Sequence, residues 1–299
     1  MKSLKLAEKR SSVRAYKNKP LREEDINALN LLLAHPPKFP GAEAIDFFFL
    51  KDGLNQSQWL HNLAGYNGIM IEAPHYYVLL SEDSPEAFKA VGYTGEWFIL
   101  NALKQGIGSC WLEIIDSDRV KSIAGIDSPK KAVAMIAVGY GQKEYQNSQF
   151  FSKTTKGSLF SLAEMGYPDI NTDLLGKEPA SYRKSITELI YMNEWGNAPA
   201  ISDLEQMELH KALFYMRLAP SYENRQPWMF VSRGNHIDLA MKQFEGASPA
   251  VRAIDAGIAM LYMEVGLHDS GFPGEWHLST EQPPVDIPAG YDFEGQYIF

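Results

Sequence analysis

Gly95-Glu96-Trp97-Phe98-Ile99-Leu100-Asn101-Ala102-Leu103-Lys104-Gln105-Gly106-Ile107-Gly108-Ser109-Cys110-Trp111 is the stretch on which the fold turns. From Gly95 to Gln105, Trp97, Phe98, Leu100, Ala102 and Leu103 cover most of a helical circumference, and a helix apolar on nearly all sides is a central one. Gly106 suits its C-terminal cap, where positive φ is cheap for glycine. A second stretch of the same design lies downstream, where an apolar helix from Ile254 to His268 precedes Gly271-Phe272-Pro273-Gly274-Glu275-Trp276. Trp111 follows Gly95 by 16 residues and Trp276 follows Gly257 by 19.

The flanks of the two stretches also correspond. Ala34-His35-Pro36-Pro37 matches Leu218-Ala219-Pro220-Ser221 in position, and Phe47-Phe48-Phe49 matches Trp228-Met229-Phe230. Arg183-Lys184-Ser185-Ile186-Thr187 is a weak echo of Arg10-Ser11-Ser12-Val13-Arg14. The order helix, strand, central helix, glycine turn, strand thus occurs twice. It predicts two portions, residues 1–178 and 179–299, forming one compact unit.

Further elements follow from local signals. Lys2 to Lys9 can form a short helix, and Arg10 to Tyr16 reads as extended chain. Pro20 and Glu23-Glu24-Asp25 open a helix that ends before Pro36-Pro37, with negative charge at its positive end. Ala44 to Leu50, Tyr76 to Leu80, Trp228 to Ser232 and Tyr291 to Phe299 are strand candidates. Lys131 to Tyr140 is a continuous apolar strand, expected to be buried on both faces. Ser202-Asp203-Leu204-Glu205 reads as a capping box opening a helix to about Leu218, before Pro220. Tyr145 to Gly176, richer in Ser, Thr, Asn and Gly, reads as a long connection.

Composition narrows the function classes. The 299 residues carry 28 Lys+Arg against 37 Asp+Glu, a net charge of −9. With no basic block, that balance argues against nucleic acid as a partner. The single cysteine, Cys110, excludes an intramolecular disulfide and a thiolate zinc site. The charged start Met1-Lys2-Ser3-Leu4-Lys5-Leu6 lacks the apolar core of a signal peptide. The longest wholly apolar run, Ala132 to Val138, is far short of a membrane span. The expectation is a cytoplasmic protein with no membrane partner. The seven histidines are scattered without ligand spacing.

Three segments could carry chemistry. In an extended chain, Arg10, Ser12 and Arg14 share a face, placing two guanidiniums and a hydroxyl where a phosphate could meet them. Alone, two arginines in an exposed N-terminal segment are more often a solvated face. Pro220-Ser221-Tyr222-Glu223-Asn224-Arg225-Gln226-Pro227-Trp228 is a loop stiffened by two prolines. Its Ser221, Asn224 and Gln226 offer the mixed donors and acceptors that a heterocycle edge needs. It also reads as a turn in which Ser221 and Asn224 cap the preceding helix. In Gly106-Ile107-Gly108-Ser109, bare backbone N–H groups could approach a ligand, or the turn could simply stop the helix. It is no dinucleotide fingerprint, since the third glycine is missing and the turn follows a helix.

Together these segments resemble the FMN-dependent nitroreductase family. Arg10 to Arg14 fits its Arg-x-Ser-x-Arg segment, Pro220 to Trp228 its Pro-Ser-x-x-Asn-x-Gln-Pro-Trp stretch, and Gly106 to Trp111 its Gly-x-Gly-Ser-Cys-Trp. The resemblance implies an α+β fold with an antiparallel-rich sheet packed on helices in each portion. In ordinary members two chains share two flavin sites. Here the first portion has Pro36-Pro37-Lys38-Phe39 where the Ser-x-x-Asn loop would be, and the second has Thr187 in place of the second arginine. The second portion also ends at Phe299 after its last strand candidate, so no tail of its own is expected at a phosphate. The chain therefore resembles the family's duplicated single-chain branch, an intramolecular pseudo-dimer expected to be monomeric and to keep one composite site.

The residues implied at that site are Arg10, Ser11 and Ser12 at the phosphate, with Lys143 or Lys153 as a further cation. Arg14 is implied at flavin N1 and O2, where a cation favours the reduced form, and Asn67 at the pyrimidine edge. Ile107, Gly108 and Ser109 are implied near N5, and Pro220, Ser221, Tyr222, Asn224 and Gln226 along the ring. The implied activity is an oxidoreductase passing electrons from NAD(P)H through FMN to a small electrophilic acceptor, with no protein nucleophile and no metal. The alternative is a binding or regulatory protein of the same fold without turnover, holding FMN or no flavin.

Overall fold

The computed structural model describes residues 3–66, 69–142, 183–278 and 286–299. Its centre is a pair of long helices, α4 (Pro85–Lys104) and α8 (Pro249–Asp269), packed against each other. Each starts on a Ser-Pro pair. The Ser84 hydroxyl accepts from the Ala87 amide and the Ser248 hydroxyl from the Val251 amide, both at 3.2 Å, while proline occupies the first helical position. Each ends on a left-handed glycine, Gly106 at φ 75° and Gly271 at φ 90°. In both, the next amide (Ile107, Phe272) reaches back to the carbonyl five residues earlier (Ala102, Leu267). The helices therefore begin well before Gly95 and Ile254, since the Ser-Pro caps lie outside the apolar runs that marked them in the sequence.

At their crossing the helices approach too closely for side chains. A Cβ on Gly92 would lie 2.0 Å from the Ile254 carbonyl oxygen, and one on Gly257 would lie 1.9 Å from that of Lys89. The relation is reciprocal: Gly92 meets the residue three before Gly257, and Gly257 meets the residue three before Gly92. Gly92, and not Gly95, is the counterpart of Gly257, and Trp111 and Trp276 then follow their glycines by the same 19 positions. Gly95 instead accommodates the Trp111 ring, which a Cβ there would strike at 2.2 Å.

The sheets repeat the same order. The first runs β1 (Asp46–Leu50), β3 (His75–Ser81), β5 (Lys131–Gly139), β4 (Gly108–Ile114) and β2 (Ala64–Gly65), antiparallel throughout. In the second, β7 (Trp228–Arg233), β8 (His236–Lys242), β10 (Tyr291–Ile298) and β9 (Glu275–His277) follow the same antiparallel sequence. Its extra edge strand, β6 (Ile190–Met192), pairs in parallel with β7. One apolar core runs through both portions and includes Tyr77, Phe98, Trp228, Phe230 and Tyr262. A second cluster covers the other face of the first sheet, so β3 and β5 are buried on both sides, as the apolar run at 131–140 predicts.

Two expectations are corrected. The segment from Arg183 is no counterpart of Arg10 to Arg14. It leads into β6 beside β7, whereas Ser12 bridges Ser109 at the start of β4, toward the opposite edge of its own sheet. The helix expected from Ser202 to Leu218 is two helices, α6 (Ile201–Gln206) and α7 (His210–Met216), separated by Glu208 at φ 58°. Its cap is Asp203, whose carboxylate accepts from the Ala200 amide at 2.9 Å, so the signal lay two residues upstream of Ser202. Helices α1 (Ser3–Lys9) and α2 (Glu23–Leu33) match expectation. Strands β4 and β9 follow the two glycine turns as the repeated order predicts, whereas helices α3 (Gly53–Leu60) and α5 (Ser117–Ala124) and strand β8 have no counterpart among the expected elements. The connection from Tyr145 to Gly176 lies outside the described residues. Among those described, no helix is long and apolar enough to cross a membrane.

Candidate functional site

Arg10 to Tyr16 leave α1 as extended chain along the start of β4 and the end of β5. The Val13 amide donates to the Ser109 carbonyl at 2.8 Å, and Tyr16 bridges Gly141. Close approach of this segment is what Gly108 permits, because a Cβ there would lie 2.7 Å from a Val13 methyl. At one end Arg10 donates from Nε to the buried Glu96 carboxylate at 2.9 Å and from Nη1 to Ser12 Oγ at 3.3 Å. Glu96 also accepts from Trp111 Nε1 at 2.7 Å and from the Tyr262 hydroxyl at 3.0 Å. Burial works against the Arg10 charge, but the adjacent Glu96 outweighs it and the guanidinium pKa is raised.

Two further arginines join this end. Arg183 donates to the Ala219 carbonyl at 2.5 Å, and the Arg183 carbonyl accepts from Arg217 Nη2 at 3.4 Å. Burial, followed by the nearby Arg10 and Arg217 charges, lowers the Arg183 pKa to about 10. Among the described residues, Arg14, Arg183 and Arg217 form no ion pair, and the buried Nε atoms of Arg14 and Arg217 have no hydrogen-bond partner. Unpaired guanidiniums sharing a partly buried region are costly unless an anion meets them. Arg217 has no signal in the sequence, whereas Arg183 stands out there as the start of the weak echo of Arg10 to Arg14 and not as a member of the same site.

At the other end, Arg14 lies 4.2 Å from the centroid of the Tyr66 ring. Tyr66 and Glu113 come from the first portion, and Tyr222 and Glu223 from the second. Burial, then the Glu223 carboxylate, raises the Glu113 pKa, and burial, then Glu223 and Glu113, raises that of Tyr222. The 220–228 loop therefore lies within electrostatic reach of Glu113 and Tyr66, and Tyr66 carries the Arg14 end of the arginine segment. Glu113 and Tyr66 are members that the sequence reading did not single out.

The loop is tightly determined. Glu223, Asn224 and Gln226 adopt φ of 52°, 58° and 49°, in the left-handed region that side chains disfavour. Ser221 Oγ accepts from the Gln226 amide at 2.9 Å, so this hydroxyl closes the loop and does not cap α7. Gln226 is buried, and its side-chain and main-chain oxygens accept from the Lys184 amide at 3.1 Å and from Lys184 Nζ at 2.8 Å. The Tyr222 amide meets both oxygens of Asp255, at 3.1 and 2.9 Å. Pro220 starts the loop, half-buried.

The remaining candidates divide. Ser12 and Ser109 are paired beside Arg10, while Ser11 is exposed. The Ile107 amide is committed to the Ala102 carbonyl at 3.1 Å and is not available to a ligand, which corrects that expectation. Tyr222 instead feels the charges of Glu223 and of Glu113, and Glu113 lies near the end of β4 away from Gly108. Asn67, Lys143 and Lys153 lie outside the described residues. Cys110 is a buried free thiol, as expected of a small core residue. Among the described residues no group of His, Cys, Asp and Glu could hold a metal ion.

Two helix-and-sheet units of the same order, whose central helices cross at paired glycines, make up a nitroreductase-type fold. Residues 3–267 match the family model described as "Putative TM nitroreductase", and the chain belongs to that family. A Thermotoga maritima MSB8 protein of the same description has a similar structure, at 18% identity and TM-score 0.57, covering 100% of this chain and 94% of that one. An FMN-dependent nitroreductase from Clostridium difficile R20291 aligns at 17% identity and TM-score 0.41, over 48% of this chain and 96% of its own. A nitroreductase family protein from Clostridium novyi NT does so at 12% and 0.42, over 50% and 89%. No curated protein matches the sequence.

Proposed function

We propose that this nitroreductase-family chain is an FMN-dependent oxidoreductase that takes electrons from NAD(P)H and delivers them to a small electrophilic acceptor at one composite site. The observation that carries the reading is the cluster of Arg10, Arg183 and Arg217 at one end of the arginine segment, where Arg183 and Arg217 form no ion pair among the described residues and Arg217 Nε has no hydrogen-bond partner, with Arg14 over the Tyr66 ring at the other end. The donor set suits a phosphate at the first end and a ring system at the second. FMN, when bound, supplies the hydride chemistry.

In this reading Arg10, Ser12, Arg183 and Arg217 hold the phosphate, and Glu96 fixes the direction of Arg10. Arg14, next to the ring, offers a positive charge that favours an anionic reduced cofactor. Ser221, Asn224 and Gln226 shape the wall that the second portion contributes. Residues 1–178 and 179–299 are the two portions, and their fusion makes the functional unit a monomer, working in the cytoplasm.

A visible spectrum of the purified protein after incubation with FMN and desalting tests the reading. Retained flavin absorbance that bleaches on anaerobic addition of NADH or NADPH is the expected result. Retained flavin without bleaching would leave a binding protein, and no retained flavin would overturn the proposal.

A further inference from the structure

Asp255 is buried in α8, 3% exposed, and the function described above gives it no part. Its two carboxylate oxygens face one main-chain donor, the Tyr222 amide. That amide opens the short turn containing Glu223 and Asn224, both left-handed, which a free chain would abandon. A charge-capable group placed in the core to hold one loop amide, where burial pushes its pKa up to about 8 even against the hydrogen bond from the Tyr222 amide, is expensive unless the loop geometry matters.

The internal symmetry supplies a control. Asp255 lies two residues before Gly257, and the residue two before Gly92 is Ala90. Against Ala90 packs the first portion's own loop, at Gly41, where an added Cβ would sit 3.7 Å from the Ala90 Cβ in ordinary contact. That loop lacks the Ser-x-x-Asn sequence. The carboxylate is thus present where the polar loop survives and absent where it does not, although both helix positions are buried.

We infer that Asp255 is a positioning residue: it grips the Tyr222 amide and thereby sets the Ser221–Gln226 loop in the conformation that receives the flavin ring. This rests on the proposed FMN site for the identity of the ligand, but the geometry it describes belongs to the protein alone.

The test uses the full chain as wild type, Asp255→Ala and Asp255→Asn. The Asn variant keeps an oxygen for the Tyr222 amide, while the Ala variant removes it. In the flavin-free protein, trypsin cleavage after Arg225 should accelerate about tenfold in Asp255→Ala and stay near wild type in Asp255→Asn. The FMN dissociation constant, from flavin fluorescence quenching, should rise about tenfold in the first and change little in the second. Amide exchange in the wild type provides a measurement that needs no variant: the Tyr222 amide should be protected. Wild-type cleavage and affinity in Asp255→Ala, or unprotected Tyr222, would overturn the inference. If wild type binds no FMN, the functional reading falls while the protease and exchange results still decide on Asp255.

Discussion

The helices α4 and α8 are alike where they cross and unlike where they face the site. Both open on Ser-Pro, close on a left-handed glycine and touch through Gly92 and Gly257. Four residues past Gly92 stands Glu96, which gathers Arg10, Trp111 and Tyr262. Four past Gly257 stands Leu261, and Trp276 donates to the Met260 main-chain carbonyl at 3.1 Å instead. Each helix thus carries one buried carboxylate where the other has an apolar residue: Glu96 against Leu261, Asp255 against Ala90. The difference teaches that the frame depends on features local to the crossing. The polar groups instead hold particular partners, Glu96 the Arg10 guanidinium and Asp255 the Tyr222 amide.

The largest expected effect tests the polar half of that contrast. Glu96→Ala leaves buried Arg10, Trp111 and Tyr262 without their acceptor and should cost about 3–5 kcal/mol in urea unfolding. A loss under about 1 kcal/mol would mean the network is incidental. Next comes the symmetric half. Gly92→Ala and Gly257→Ala each push a methyl against a carbonyl of the facing helix, and each should cost about 2–3 kcal/mol. Strongly unequal costs would break the pseudo-twofold description of the crossing.

Arg183→Ala addresses the cation cluster. It should weaken FMN binding by about 1.5–3 kcal/mol, read as a rise in the dissociation constant. An unchanged constant would place the phosphate elsewhere. The smallest expected effect concerns the first sheet alone. His75 accepts from the Leu21 amide at Nε2, 2.9 Å, while Nδ1 donates to the Lys51 carbonyl at 2.6 Å. Burial lowers its pKa below the usual 6.5. The neutral ring is the folded form, so its stabilisation is complete above pH 6.5 and declines as pH falls through the lowered folded value. His75→Gln should flatten that acid limb in a pH series of melting temperatures.

Much of the frame was legible because its signals are local. The continuous apolar run at 131–140 marked β5, and the acidic turn at Glu23 marked α2. The starts of α4 and α8 were equally legible at Ser84-Pro85 and Ser248-Pro249, but apolar periodicity drew attention inward. The site was legible only in part. Arg10, Ser12, Arg14 and the 220–228 loop stand out as patterned polar segments. Arg217 and Glu113 do not, because nothing near them in sequence requires a charge.

The sequence by itself determined where helices start and stop and that the chain carries one design twice, since capping, positive φ and apolar spacing act over a few residues. Only the tertiary structure decided that Arg183 lies beside Arg217 and within reach of the Arg10 charge, that Glu113 and Tyr222 influence each other, and that Asp255 accepts from the Tyr222 amide. Those pairs are far apart along the chain. Their meeting follows from how closely two glycines let the central helices cross.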